Sequence, residues 1–377
     1  MIIVHIEDYF DPNAGYQVNE FLRIKFHDLN QIVITSNDMT PFHKNVDTKS
    51  DTRFSEEFGV KIIRLEVILK FSNRLVLRDL WKTVVKEEPD LVFLHGIGDF
   101  KDFILPFRKI NYKLVRDCHM SWSGVKNPFS KYYLKLFSIF QSPLINASTN
   151  YSKIFALGTE EKDYLQKMGI SEKKIEILPH GYNSNYFYYD VEARNSIRKE
   201  FNYTENDIVI SYIGKFDNMK RPDYIFDIID DKIIENFSLK FLFIGAKDST
   251  YMNDIFNKKS VHIDKQNIVI LDSKPYDELR HWFSASDICI YPKQTTLSSI
   301  HAQVCGTTVI MEKQISNIER VVNKENLYEI DNLNDAKRIL NRILSNKEYL
   351  KSINLNLVAS LKKREYTNQI KQILDII

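Results

Sequence analysis

Short apolar runs separated by amphipathic stretches recur along the whole chain. "IIVHI" (2–6) predicts a buried strand, "GYQVNEFLRIKF" (15–26) a helix and "QIVITS" (31–36) the next strand. "LRDLWKTVVKEE" (77–88) reads as a helix, and "PDLVFLHG" (89–96) and "YKLVRDCH" (112–119) as strands. "KIFALGTEEKDYLQKMG" (153–169) reads as strand, turn and helix. The rhythm restarts with strands at "DIVISYIG" (207–214), "KFLFIGA" (240–246), "NIVILD" (267–272), "DICIYP" (287–292) and "TTVIME" (307–312). Between the two series, "KIEILPHGYNSNYFYYD" (174–190) carries Pro179, Gly181 and several asparagines, the composition of a linker. The chain closes, over about 333–377, on a lysine-rich amphipathic helix.

Strands alternating with helices at this spacing indicate parallel sheets. The expected fold class is α/β, with two Rossmann-like, doubly wound domains facing each other across a cleft. The expected boundaries are 1–185, 186–355 and a C-terminal helix, 356–377, that can cross back to the first domain. In open parallel sheets ligands sit beyond the carboxyl ends of the strands. Residues at those ends are therefore the candidates for chemistry.

Length fits this picture, because 377 residues exceed a single core. A net charge of +2, from 52 basic and 50 acidic residues, argues against a general nucleic-acid binder. Cys118, Cys289 and Cys305 make an odd count without metal-ligand spacing, which favours a reducing, cytoplasmic setting. "MIIVHIEDYFDP" turns acidic too early for a signal peptide, and no run approaches a membrane span.

Four strand ends carry candidate residues. In "YIGKFDNMKRPDY" (212–224), Lys215 and Lys220 follow a strand and precede a helix, a combination that suits an anion; the alternative is a pair of solvated lysines. Gly15, in "DPNAGYQVNEF" (11–21), opens a helix after the first strand and is either a ligand loop or an ordinary turn. His119, in "VRDCHMSW", either faces a sugar hydroxyl or is a core histidine bonded to backbone. In "YPKQTTLSSIHAQVCGTTVIME" (291–312), Ser298 or Ser299 caps a helix that stops at Gly306, with or without a phosphate at its amides.

These residues resemble the GT-B fold, retaining glycosyltransferases of the family 4 type that build bacterial surface polysaccharides from nucleotide sugars. "DYFDPNAGYQ" matches the glycine loop, and "GTEEKDYLQKMGI" with "KIEILPHGYNSNYF" the helix and linker. "YIGKFDNMK" matches the phosphate clamp, and "PKQTTLSSIHAQVCGTTVI" the donor loop and helix. The resemblance implies an acceptor-binding first domain and a donor-binding second. Lys215 and Lys220 would neutralise the diphosphate leaving group, and His119 would contact the transferred sugar. Gly15, Gly214, Lys274, Ser298, Ser299, His301 and Glu319 would hold the donor. No metal or other cofactor is expected, since the chain has no Asp-x-Asp. One departure stands out. The family often carries two glutamates eight positions apart, and counting back from Gly306 puts Lys293 and His301 there. His301 is then expected to contact the donor, with Glu319 in reserve.

"KNPFSKYYLKLFSIF" (126–140) mixes Lys126, Lys131 and Lys135 with aromatics. It suits either a helix in a lipid headgroup layer or a domain helix with snorkelling lysines. The expected partners are a nucleotide-sugar donor and a glycan or lipid-linked glycan acceptor. A peripheral membrane contact through 126–140 is a further option, at the inner face of the plasma membrane. Two other readings stay open, a GT-B partner protein that has lost turnover and a GT-B enzyme of other chemistry, such as a sugar-nucleotide epimerase or polyol-phosphate transferase.

Overall fold

The computed structural model describes residues 1–377 except 39, 41–45, 121, 123–129, 247–249, 294, 347 and 349–356. The chain divides into two compact units, Met1–His180 with Tyr366–Ile377, and Gly181–Glu365. The boundary thus falls five residues ahead of the one the linker composition suggests, and the segment returning to the first unit starts at Tyr366 rather than at 356.

In the first unit the strands are β1 (Ile2–Ile6), β2 (Asn30–Ser36), β3 (Lys61–Leu65), β4 (Val67–Phe71), β5 (Arg74–Leu77), β6 (Leu91–Leu94), β7 (Lys113–Cys118), β8 (Tyr151–Ala156) and β9 (Ile175–Ile177). Seven form one parallel sheet in the order β3-β2-β1-β6-β7-β8-β9, while β4 and β5 make a separate antiparallel hairpin. Neighbouring strands start in step, with Ile3 opposite Leu91 and Leu91 opposite Lys113, so β1, β6 and β7 end side by side. Their continuous apolar sequences reflect burial on both faces, as parallel sheets require.

The expected long terminal helix is broken. The helix Leu333–Leu344 ends at Ser345, and a separate helix, Tyr366–Leu374, packs on the first sheet. Tyr366, Ile370 and Ile373 join Phe21, Phe93 and Val115 in one buried cluster, with Tyr366 edge-on to Phe21 at 5.3 Å. Burying each such side chain contributes roughly 1.5–3 kcal/mol, enough to hold a nine-residue helix that would not persist alone.

The second unit contains β10 (Ile208–Ile213), β11 (Leu239–Ile244), β12 (Ile268–Leu271), β13 (Ile288–Tyr291), β14 (Thr308–Glu312) and β15 (Leu327–Tyr328). They form a parallel sheet in the order β12-β11-β10-β13-β14-β15. Chain order reverses between β10 and β13, and this switch point is where an open sheet leaves room for a ligand. Gly245, at φ +104°, turns the chain directly after β11. A side chain there would run into the carbonyl oxygen of Gly214, so the two glycines let adjacent loops pass back to back.

Candidate functional site

At the carboxyl ends of β10, β11 and β12 lies a cavity of about 630 Å³ in the second unit. Its lining includes Gly214, Lys215, Asp217, Ser273, Lys274 and Ser298. Asp217 folds the turn after β10, because its carboxylate accepts the backbone N–H groups of Met219 and Lys220, each at 2.9 Å. The Tyr212 hydroxyl donates to the Lys215 carbonyl at 2.6 Å and pins the other side of the turn. Lys215 is left exposed at the cavity. Lys220 turns inward, and its Nζ donates to the Thr295 carbonyl at 2.7 Å. Burial lowers the Lys220 ammonium to about 8; Asp217 opposes this, while Arg320 and Lys215 add to it. Like charges beside a buried ammonium favour its neutral form, as burial does.

In the first unit, the strand ends of β1, β6 and β7 carry a buried polar chain. The Gln31 Oε1 atom lies 3.2 Å from His5 Nε2, and His5 Nδ1 lies 3.0 Å from His95 Nε2. His95 Nδ1 is 2.7 Å from Asp117 Oδ2, and Asp117 Oδ1 is 3.1 Å from His119 Nε2. Arg116 Nε donates to the Gly96 carbonyl at 2.8 Å, and the Gly96 N–H donates to Asp117 at 2.6 Å, which clamps the loop around the carboxylate. Burial and then His95 push His5 down to about 3. For Asp117 burial acts upward, but His119 and His95 outweigh it and hold the carboxyl well below the usual range. His119 shows the reverse balance. Burial would lower it, yet Asp117 raises it from 6.5 to about 9, an effect that water moderates because 44% of the side chain is exposed. Glu7, half-buried beside them, is raised by burial to about 7 against the pull of His95. His95, Asp117 and His119 bring ligand-type atoms within 4.8 Å of one another. Each oxygen of the Asp117 carboxylate lies within hydrogen-bond reach of one of the two rings.

The Glycosyltransferase Family 4 profile matches residues 32–186, and the Glycosyl transferases group 1 profile matches residues 207–346. The chain belongs to the family 4 type of glycosyltransferase, with the GT-B fold. Solved structures repeat that fold along the whole length. HepE from Anabaena in complex with UDP is 15% identical, covering 100% of this chain and 99% of that one, with a TM-score of 0.73. Sucrose-phosphate synthase from Thermosynechococcus elongatus is 15% identical, covering 100% and 98%, with a TM-score of 0.68. WaaG, a glycosyltransferase involved in lipopolysaccharide biosynthesis, is 12% identical, covering 100% and 99%, with a TM-score of 0.63. A search of curated proteins found no match.

The glycosyltransferase cavity thus brings together Gly214, Lys215, Lys274 and Ser298, four residues singled out from sequence. Others are placed differently. The Ser299 side chain is buried, and its hydroxyl donates to the Thr296 carbonyl at 2.7 Å, so it braces the loop. His301 is buried and stacks on Phe187, with ring centroids 3.8 Å apart and planes 6° apart, and it meets Tyr276 edge-on. Burial lowers it to about 3. It is not among the residues that line the cavity, and the linker residue Phe187 covers one face of its ring. Lys293 pairs with the buried Glu312 at 2.6 Å and with Asp331, so a lysine holds a carboxylate where the family often has a glutamate. Glu319 lies half-buried on the helix Ile315–Arg320, its carbonyl accepting from Arg364 at 2.8 Å, and does not line the cavity. Gly15 sits in the loop between β1 and the seven-residue helix Gln17–Arg23, where Arg23 donates to the carbonyls of Pro12 and Ala14. Of 126–140, residues 126–129 lie outside the described residues, and Ser130–Phe140 form a helix. Among the described residues no helix is long and apolar enough to cross a membrane.

Sequence reading missed Asp217, Ser273, Thr295 and Arg320 around the cavity, and Glu7, His5, His95 and Asp117 in the first unit. The available signal was polarity at the ends of otherwise apolar strands: "IIVHIE", "LVFLH" and "LVRDCH" each close on a titratable side chain.

Proposed function

We propose that the protein moves a sugar from a nucleotide-sugar donor to a glycan or lipid-linked glycan acceptor, with retention and without a divalent ion, in cell-surface polysaccharide synthesis. The observation that carries this reading is the cavity at the carboxyl ends of β10, β11 and β12, which Gly214, Lys215, Lys274 and Ser298 line, with Lys220 in the same turn as Lys215. HepE, which shares the fold, has been solved with UDP and with UDP-glucose, which supports a uridine donor. Lys215 and Lys220 take the diphosphate. Negative charge grows on it as the glycosidic bond breaks, so cations there stabilise the transition state more than the ground state. The same two cations do the neutralising work for which a divalent ion would otherwise be needed. His119 donates a hydrogen bond to the transferred sugar.

A second cavity, about 640 Å³ in the first unit, supports an acceptor with an apolar portion. Phe71, Phe103, Leu136 and Phe140 line it and are themselves exposed. Such an apolar surface marks a binding site more often than bare solvent contact. This reading also gives the helix Ser130–Phe140 a place at the membrane face, and WaaG, involved in lipopolysaccharide biosynthesis, supports the surface-glycan setting.

The test is a panel of radiolabelled nucleotide sugars incubated with lipid-linked and free glycan acceptors, with and without EDTA. Transfer that survives EDTA and gives a product anomer matching the donor supports the reading. Transfer abolished by EDTA and restored by a divalent ion removes its metal-independent part, and binding without turnover for every donor removes the transfer itself.

A further inference from the structure

The first unit carries apolar side chains in places where its core does not use them. The helix Ser130–Phe140 packs inward through Phe137, with Tyr133 and Leu134 half-buried against the core. Its other side is apolar as well. Tyr132, Leu136, Ile139 and Phe140, spaced i, i+4, i+7 and i+8, form a stripe in which every residue is more than half exposed. In the hairpin, β5 buries Leu75 and Leu77, while the outer strand β4 turns Ile68, Leu69 and Phe71 to solvent along an open sheet edge. A third element, the short turns Phe100–Phe103 and Leu105–Phe107, exposes Phe103, Ile104 and Phe107, the last at 72%. The three elements share one surface. Arg74, at the start of β5, donates to the Gly98 carbonyl and, at 3.2 Å, to the Tyr133 hydroxyl, which itself donates to Gly98 at 3.1 Å. The 640 Å³ cavity opens among them, and a second cavity of about 530 Å³ adjoins it at Phe100, with Trp81, Val85 and Ile104 on its walls.

Charge on this surface has one sign. Segments 67–74, 100–110 and 130–140 contain a single carboxylate, Asp102, and it is buried against Arg116. Of their cations, Lys70, Lys109 and Lys135 are exposed, and Arg108 lies half-buried with its guanidinium 5.7 Å above the Trp81 ring. Lys101 is turned inward, paired with Asp8 and Asp99. Beyond those segments, Asp79 and Lys82 both line the second cavity and offset one another. A second copy of the chain placed here by a twofold axis would set like cations face to face. Anionic headgroups would meet them with the opposite charge. We propose that this surface docks on an anionic lipid bilayer, with the helix stripe, β4 and the two turns entering the boundary between headgroups and acyl chains while Lys70, Lys109, Lys135 and Arg108 meet lipid phosphates. The inference deepens the membrane part of the proposed function, and it requires neither a donor nor sugar transfer. Each cation near the surface multiplies binding by about five, and each apolar side chain that is fully buried by about ten or more. Docking in this way also opens both cavities toward the lipid, from which an acceptor with an apolar tail would enter.

The experiment is flotation of the full chain with vesicles of phosphatidylcholine alone and of phosphatidylcholine mixed with an equal part of phosphatidylglycerol, without any nucleotide sugar. Wild type should bind the mixed vesicles at least about tenfold more tightly. Raising NaCl from about 0.1 to about 1 M shortens the screening length from about 10 to about 3 Å and should remove most of that preference. The triple variant Leu69→Ser, Phe107→Ser and Ile139→Ser changes three exposed side chains that line neither cavity. It should keep the wild-type melting temperature and lose vesicle affinity by at least about 100-fold. Lys109→Glu with Lys135→Glu, an independent pair on the same surface, should lose the preference for the mixed vesicles. Wild type that floats with neither vesicle, or folded variants that float like wild type, overturns the proposal. So does a lipid-free dimer in light scattering that the triple variant abolishes, because the surface then belongs to a second copy. Equal flotation with both vesicles at every salt concentration overturns the choice of an anionic surface. Protein that docks but transfers no sugar keeps this inference and loses the proposed function, and protein that transfers to a free glycan without docking does the reverse.

Discussion

His301 can be tested through stability. Its ring is buried against Phe187, and burial lowers it from 6.5 to about 3. A histidine depressed in the folded state contributes stability that is complete above its unfolded value and is lost as pH falls toward the folded one. At pH 5 the unfolded chain takes up the proton and the folded chain does not, which costs about 2 kcal/mol relative to pH 7. His301→Phe keeps the stack and removes this term. It should unfold within about 1 kcal/mol of wild type at pH 7 and gain about 2 kcal/mol on it at pH 5. His301→Glu installs the family's carboxylate in the same apolar slot. Keeping that carboxyl protonated at pH 7 against an unfolded value near 4.3 costs about 3.7 kcal/mol, and losing the aromatic pair adds about 1. That sum is a large share of a stability of about 5–15 kcal/mol. Urea unfolding of the three proteins at pH 7 and pH 5 measures these differences, with UDP affinity recorded alongside. A His301→Phe protein that follows the wild-type pH dependence refutes the buried-neutral assignment. A folded His301→Phe protein that no longer binds UDP returns His301 to the donor site.

Three other substitutions probe separate parts of the account. Lys293→Glu should destabilise by about 3–5 kcal/mol, because it strands the buried Glu312 beside a like charge; a higher melting temperature contradicts the pairing. Gly245→Ala should lower both the melting temperature and UDP affinity, since its Cβ collides with the Gly214 carbonyl and φ is +104°; unchanged affinity in a folded variant means the two loops do not shape the cavity. His119→Ala should lower the transfer rate more than it lowers affinity for free UDP, which lacks the sugar. Equal losses point to a histidine that supports the fold.

Much of the second unit was legible because its signals are local. An apolar run ending in glycine, then lysines, is a strand end with a charged turn, and Gly214, Lys215, Lys274 and Ser298 do line one cavity. The first unit's polar chain was hidden because its links are distant, with 90 residues between His5 and His95 and 22 between His95 and Asp117. One histidine in an apolar strand does not announce its partner. The hairpin β4–β5 and the edge strands β3 and β9 also escaped, since exposed positions such as Ile68, Leu69 and Phe71 blur their alternation. The packing of His301 was hidden for a related reason. Helical spacing from Ser298 gives its side of the helix but not the ring of Phe187, which comes from more than a hundred residues earlier and occupies that side.

The central claim is that the strand-end cavity of the second unit takes a nucleoside diphosphate on Lys215 and Lys220. Titration calorimetry of UDP into wild type, Lys215→Ala and Lys220→Ala, from pH 7 to pH 9.5, tests it most directly. Losing a charge-assisted hydrogen bond costs about 1.5–3 kcal/mol, so Lys220→Ala should bind roughly 10–150-fold more weakly at pH 7, and Lys215→Ala more weakly by a smaller factor. Because the free protein's Lys220 titrates at about 8, wild-type affinity should fall as pH rises past that value, while the Lys220→Ala protein stays flat. Equal UDP affinity in wild type and Lys220→Ala across this range contradicts the claim.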